Sequence, residues 1–434
     1  MRGLVSTILL VVALGGIAGY IYFIDAKKEP AGTKPKVFVA LAADTIEELE
    51  IRGVSGETAR LRHIGAAWHL VEPTPADADA GAVGSVTSNL ASLEVQRVVD
   101  ENPTDLAQYG LNPARIDIAF RVKDQKDFQR LLVGEKTPTG GDLFAKRPTE
   151  NKVFLISYFL DSTFNKAPFD LRDKAVLKFE RDQADSIEIV NSSTTIQFVK
   201  NGPEWRIVKP VAVRADYAAA EGLMGRLSSG QMQKAVAPDA GDLKAYGLER
   251  PALTATVLSG SSKATLLVGR AGEGGRFAKD AARPEVFTVE EDLFAELARD
   301  VQEYRRKDLF DSRSFTANRL NVRRGDQTLA FEKSSDGKDT WRNAAGQNID
   351  KATVEDLLAK LSNVRAQAFE AATHASLKIP ALTVTVRFDD TKTETVTFGR
   401  SGADVFARRA DEPGTAQIEP LAFNEVSKAL DAVK

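Results

Sequence analysis

Cysteine is absent from all 434 residues. That excludes a disulfide framework, a thiol nucleophile, attachment of a lipid through cysteine, and any cysteine-held metal or iron–sulfur centre. Histidine is scarce, with 3 copies in the chain. His63 and His69 flank Trp68 at a spacing that suits neither a helical i, i+4 pair nor tight same-face strand neighbours, and His374 stands alone, so no metal-ligand pattern emerges. A dominant charge sign is lacking as well. The 58 basic residues face 61 acidic ones, a net charge of −3, and nucleic acid demands a strongly basic face. The signatures HExxH, GxSxG, SxxK with its partners, and GxxxxGK[ST] do not occur. Acidic residues such as Glu47, Glu48, Glu50, Asp77 and Asp79 are plentiful. Their default roles are solvated faces and helix caps, because a carboxylate pair becomes catalytic only through geometry. The sequence thus offers no catalytic, cofactor-binding or metal-ligating residues.

What is present is an ordinary globular composition, 43% hydrophobic and 27% charged, which argues against extensive disorder. One apolar run stands out. Residues 4–24, LVSTILLVVALGGIAGYIYFI, carry no charge, and as a helix would cover about 30 Å, the thickness of a bilayer's hydrocarbon core. Tyr20 and Tyr22 fall at its far end, where amphipathic rings favour the interface. The apolar part of a cleaved signal peptide is shorter, about 7–15 residues, so the expectation is an uncleaved transmembrane anchor over 1–25 and a linker over 26–35. Gly15 and Gly19 form a GxxxG step that permits close helix approach. Lys27 and Lys28 oppose the positive-inside rule. The short tail ahead of the span has the layout of a signal anchor, which places the bulk of the chain in the periplasm.

Beyond the linker the sequence repeats. Its 3 tryptophans, Trp68, Trp205 and Trp341, are evenly spaced, and each follows a β-type run: ELEI, SIEI and RLNV. Farther along come LLVG (131–134), LLVG (266–269) and TFG (397–399), then LFAKR, RFAKD and VFARR. A period this long means tandem domains rather than solenoid turns. The units are read as 36–174, 175–308 and 309–434, the third degenerate. In the second, SIEIV, TIQFVK and EWRIVKP alternate like half-buried strands, Asp216 caps a helix beginning at Tyr217, and EDLFAELARDVQEY closes the unit as one helix with Leu293, Phe294, Leu297 and Val301 on one face. Strands clustered between helices predict an α+β fold: a transmembrane helix, then three tandem repeats of a mostly antiparallel sheet with packed helices.

Recurrence at equivalent places separates structure from chemistry. GRAGEGGR (269–276) resembles a phosphate loop, yet its counterparts GEKTPTGGD and GRSGAD also lie between strands, so hairpin turns are expected. DLAQYGLNP (105–113) and DLKAYGLERP (242–251) read as capped short helices: Asp105 and Asp242 start them, Gly110 and Gly247 end them left-handed, and Pro113 and Pro251 block continuation. The third unit has ASLKIPALTV there and loses Tyr-Gly-Leu. The basic YRRKD (304–308) corresponds to FDLRDK (169–174) and reads as a junction between units.

These features together, the anchor, the Leu-x-x-Tyr-Gly-Leu motif with its proline, the LLVG strand and the Phe-Ala-Lys strand, resemble the bacterial family called "domain of unknown function 4340". The resemblance implies an inner-membrane protein that accompanies ABC-type transporters similar to the gliding-motility kind. It implies no reaction and no cofactor. The functional expectation is a non-enzymatic accessory or scaffold whose partners are the membrane and transporter subunits, with no nucleic acid. The alternatives are a carboxylate-based envelope hydrolase or transferase, and a glycan- or peptide-binding module.

Overall fold

The computed structural model describes residues 34–334 and 340–433. The apolar run over 4–24, with the expected anchor, lies outside the described residues. Among those described, no helix is long and apolar enough to cross a membrane. The chain divides into two compact units, one ending at Lys174 and one running from Ala175 onward.

The first unit holds one sheet. Its strands are β1 (Ile46–Arg52), β2 (Thr58–Ile64), β3 (Ala67–Glu72), β4 (Ala76–Asp77), β5 (Arg97–Asp100), β6 (Ile116–Val122), β7 (Gln129–Lys136), β8 (Asp142–Lys146) and β9 (Val153–Ser157). They lie side by side as β4-β3-β2-β1-β6-β7-β8-β9-β5, and every neighbouring pair is antiparallel. The chain therefore steps outward from β1 to one edge, crosses to the opposite edge at β5, returns to the centre at β6, and steps outward again. The crossing is made by α1 (Ala80–Ser92). Asp79 starts it by accepting from the Ala82 amide at 2.8 Å, a side-chain cap of the ordinary kind. Val83, Val86 and Leu90, at helical spacing, are buried in the core. Period-two alternation in IEELEIR puts Leu49 and Ile51 into that same core and leaves Glu48 and Glu50 on the outer face. Two short helices, α2 (Leu160–Phe164) and α3 (Pro168–Leu171), close the unit.

The second unit contains this sheet twice more. The strands of the second copy are β10 (Ala184–Asn191), β11 (Thr195–Asn201), β12 (Glu204–Lys209), β13 (Val213–Arg214), β14 (Lys234–Ala237), β15 (Leu253–Ser259), β16 (Ser262–Gly272), β17 (Gly275–Asp280) and β18 (Val286–Val289). Its helices are α4 (Tyr217–Ser229), α5 (Glu291–Leu297) and α6 (Val301–Tyr304). In the third copy the strands are β19 (Ala317–Arg324), β20 (Gln327–Lys333), β21 (Trp341–Asn343), β22 (Asn348–Ile349), β23 (Ala366–Glu370), β24 (Leu382–Phe388), β25 (Lys392–Ser401), β26 (Asp404–Arg409) and β27 (Thr415–Ile418), with helices α7 (Lys351–Ser362) and α8 (Pro420–Ala432). All three sheets have nine strands in the same relative order. The fold is thus α+β, mostly sheet, in tandem repeats.

Local chemistry repeats with the topology. Each copy opens on two buried apolar residues, Val37-Phe38, Val176-Leu177 and Leu309-Phe310, next to an isolated bridge, Lys36 to Glu94, Ala175 to Gln231 and Asp308 to Arg365. The tryptophans occupy the third strand of each copy, β3, β12 and β21. Trp205 and Trp341 are 3% and 0% exposed and Trp68 is half-buried. One expectation fails. The closing segment of the second copy is two helices rather than one, because Asp300 accepts from the Gln302 amide at 2.8 Å and caps a fresh turn. The third copy, with no such cap, closes on the continuous α8.

Candidate functional site

The residues that looked most like chemistry in the sequence are occupied by the fold. Glu48 accepts from Arg121 and Arg62 at 2.6 and 3.1 Å. The Arg121 hydrogen bond outweighs partial burial and holds the Glu48 carboxyl below its usual range. Glu50 accepts from Arg60 at 2.8 Å, and Asp79 is the α1 cap. His63 packs edge-on against Trp68 with centroids 5.3 Å apart, while His69 faces Asp77 at 3.3 Å. Among the described residues, no group of three or more acidic or histidine side chains could hold a metal. The glycine-rich segment 269–276 is the β16–β17 hairpin, with Gly272 paired to Gly275.

The Tyr-Gly-Leu motif is a capped 3-10 turn. The Ala107 and Lys244 amides donate to Asp105 and Asp242 at 2.8 and 3.0 Å, and Gly110 and Gly247 have φ of 66° and 71°. The turn presses on the sheet where LLVG ends, so that a Cβ on Gly134 would lie 2.0 Å from the Tyr109 carbonyl oxygen and one on Gly269 would lie 2.2 Å from that of Tyr246. Tyr109 and Tyr246 then rest on Phe144 and Phe277, centroids 5.0 and 5.1 Å apart. In the third copy His374 takes over the ring contact, stacked on Phe406 at 3.7 Å, while its Nδ1 accepts from the Ser376 amide. His374 is thus a cap and a packing ring rather than the isolated residue its sequence position suggests.

The densest polar constellation joins the second copy to the third, inside the second unit. Arg214, on edge strand β13, donates through Nε to Glu412 at 2.7 Å, through Nη1 to Asp311 at 2.7 Å and through Nη2 to the Asp308 carbonyl at 2.8 Å. Arg409, at the end of β26, donates to Glu394 at 2.8 Å, to the Leu309 carbonyl at 2.8 Å and to Asp411 at 2.9 Å. Glu394 also accepts the amides of Asp311 and Ser312 at 2.7 and 2.9 Å. Arg305 lies 3.7 Å from Glu412, and its guanidinium sits over the Phe369 ring. Arg214, Arg409, Glu394 and Glu412 are all buried. Burial lowers the Arg305 pKa against the opposing pull of Glu412. For Arg409 burial also opposes the charge, but Asp411, Asp311 and Glu394 more than offset it and raise the pKa. Asp411 is pushed up by burial and pulled lower still by Arg409.

This network fixes geometry. Every carboxylate in it is matched by a guanidinium, and buried pairs of this kind are costly to break while adding little net stability. YRRKD is therefore a junction, as its position in the repeat implies. No sequence motif marks Arg214, Asp311, Glu394 or Glu412, and Arg409 is visible only as the last residue of the VFARR strand. A signal existed: Glu394 shares a strand face with Val396 and Phe398, and Arg409 with Val405 and Ala407, so charges stand at inward positions. Beside the network a cleft of about 340 Å³ opens between Glu204, Trp205, Tyr217, Arg306 and Asp308. Trp205 forms its floor, its Nε1 donating to Glu221 of α4 at 2.8 Å, and Tyr217 is 58% exposed at its rim. The cleft offers the exposed Tyr217 ring next to the paired charges of Arg306 and Asp308, which suits contact with another molecule.

A family model described as "Domain of unknown function (DUF4340)" matches residues 68–204 and again 205–378. No curated protein matches the chain. Among solved structures, a DnaN sliding clamp (DNA polymerase III subunit beta) from Pseudomonas aeruginosa bound to griselimycin is 10% identical, over 90% of this chain and 94% of that one, with a TM-score of 0.17. Another crystal structure of the DNA polymerase III subunit beta from Pseudomonas aeruginosa is 7% identical over 87% and 93%, with a TM-score of 0.15. Scores this low carry no assignment of fold or function.

Proposed function

This chain belongs to the family described as Domain of unknown function (DUF4340), and on that premise we propose that it is a non-enzymatic, membrane-anchored accessory of an ABC-type transport system, its repeats forming a scaffold outside the cytoplasm. The observation that supports this most is how the repeated motifs are used. Caps, hairpins, the glycine approach and the ion network absorb the polar residues that recur or cluster, and in the cleft beside Trp205 the charges of Arg306 and Asp308 are paired with each other and with their neighbours. Binding surfaces need complementary shape and a few buried anchors, and leave no short signature. The apolar run over 4–24 supplies the anchor in this reading.

Co-purification tests it. The full-length chain, extracted in mild detergent, brings down a permease or ATPase subunit if the reading holds. Recovery of no membrane protein, together with loss of cellular function on alanine substitution of a clustered Asp/Glu pair in a folded protein, replaces it with the envelope-enzyme reading.

A further inference from the structure

The three sheets share a topology but not an outer face. In the first copy, charges alternate across the strands: Glu48 lies opposite Arg62 and Arg121, Glu50 opposite Arg60, and Arg52 opposite Asp117, and these pairs close as salt bridges. In the third copy the same face reads differently. One row across the strands is Glu332, Arg319, Arg387, Thr393. A second is Asn321, Thr385, Thr395, with the two threonine hydroxyls 3.0 Å apart. A third is Thr328, Arg323, Thr383, Thr397, Arg408. Neighbours within a row are about 4.8 Å apart and successive rows about 7 Å. Glu332 is the one carboxylate in these rows. Asp326, Asp389 and Asp390 sit in turns at the rim, where Asp389 pairs with Lys392.

Arg319 and Arg387 stand directly opposite each other, an arrangement that destabilises a sheet. Arg387 is held in place by two bonds to the Asp390 carbonyl, at 2.9 and 2.6 Å. Among the described residues, Arg319, Arg323 and Arg408 form no salt bridge. The first copy neutralises its charges, and the second carries Lys209, Gln197, Glu188 and Thr256 in the matching row, with Lys209 paired to Glu188; a cationic array kept at a cost to the third sheet calls for an anion.

We infer that the outer face of the third sheet docks on the phosphate headgroups of an anionic phospholipid bilayer. Guanidiniums take phosphate oxygens bidentately and threonine hydroxyls bond them singly. The charges spread in two dimensions over a pleated face, which fits a plane of headgroups better than a single polymer strand. Ile379, 89% exposed, precedes β24 at the end of the face that carries Arg323 and Arg408, and an apolar side chain beside arginines suits the membrane interface. The inference rests on the function proposed above only for bringing the chain to a bilayer, and the transporter partner does not enter.

The absence of cysteine makes the test clean. The full-length chain carries one environment-sensitive label at Thr395→Cys, or at Gln197→Cys on the outer face of the second sheet as control. It is mixed with vesicles of phosphatidylcholine alone or with phosphatidylglycerol, and quenched with acrylamide. Flotation with phosphatidylcholine vesicles reports the anchor by itself. The expected result is protection of the label at 395 only when phosphatidylglycerol is present, lost as salt rises to about 0.5 M, with Gln197→Cys unprotected throughout. Arg323→Gln with Arg408→Gln should weaken the lipid dependence by about fivefold per arginine removed, since each basic residue near an anionic surface contributes on the order of 1 kcal/mol. Thermal unfolding of the variant establishes that it is folded, and Arg319→Thr serves as a second, strain-relieving variant that should also weaken binding. Equal quenching in both vesicles, or protection that survives loss of the arginines, overturns the inference whatever the flotation shows.

Discussion

Gly134 lies so close beneath the Tyr109 carbonyl that an added Cβ would sit 2.0 Å from its oxygen, and Gly269 repeats the contact with Tyr246 at 2.2 Å. The glycine of LLVG is thus required by the approach of the Tyr-Gly-Leu turn, and the two motifs are halves of one joint. Gly134→Ala and Gly269→Ala should each destabilise their copy by about 1–3 kcal/mol, since the backbone must shift to relieve the overlap. Gly222, inside α4, meets nothing within 4 Å, and Gly222→Ala should stabilise by about 0.5–1 kcal/mol through helix propensity. Chemical denaturation followed through tryptophan fluorescence measures both signs.

Trp205 and Trp341 occupy equivalent strands but differ at the indole nitrogen. Trp205 donates to Glu221; the Trp341 Nε1 is buried with no acceptor among the described residues. Replacing each by phenylalanine keeps a ring and removes the N–H. Trp205→Phe should cost about 1.5–3 kcal/mol for a bond to a charged group on top of the packing loss, and Trp341→Phe should cost the packing loss alone.

The same bond makes a pH prediction. Trp205, with Lys200 and Arg181, overcomes burial and lowers the Glu221 pKa below 4.5. A depressed carboxylate contributes stability that is fully present above its unfolded pKa and is lost as pH falls through the folded value. Denaturation midpoints of the native chain should therefore fall below pH 4.5, and Trp205→Phe should flatten that slope while leaving the slope between pH 6 and 8 unchanged.

Arg409 and Glu394 form the most buried pair of the junction network, with side chains 5% and 1% exposed. Arg409→Met leaves Glu394 without its cation and should destabilise by about 3–5 kcal/mol. Glu394→Gln keeps an acceptor for the Asp311 and Ser312 amides. The double variant should therefore lie closer to native than the sum of the singles, with a coupling of about 0.5–3 kcal/mol in a double-mutant cycle. Additive costs would mean that the pair acts through separate neighbours.

The repeat was legible because Trp, LLVG and Phe-Ala-Lys each mark a local need: a packed third strand, a glycine beneath a turn, and an inward-outward alternation. The caps at Asp105, Asp216 and Asp242 were legible for the same reason, since one side chain bonds an amide a few residues away. Edge strands such as β13 and β14 were not, being too short to show a period. Neither was the partnership of Arg214 with Glu412, which depends on how the second copy meets the third. His374 illustrates the limit from the other side: it replaces a tyrosine ring from a different chain position, so no alignment of motifs reveals it.

If the chain works by binding a membrane partner, in-cell photo-crosslinking captures that contact. A photoreactive amino acid at Tyr217, exposed on the rim of the cleft beside Trp205, is activated in growing cells and the adducts are identified by mass spectrometry. The expected result is an adduct with an ABC permease or another transporter subunit, weakened by charge reversal at Arg306. A label that forms no adduct with any membrane protein at Tyr217 or at other exposed sites around the cleft, in a protein that remains folded and functional, contradicts it.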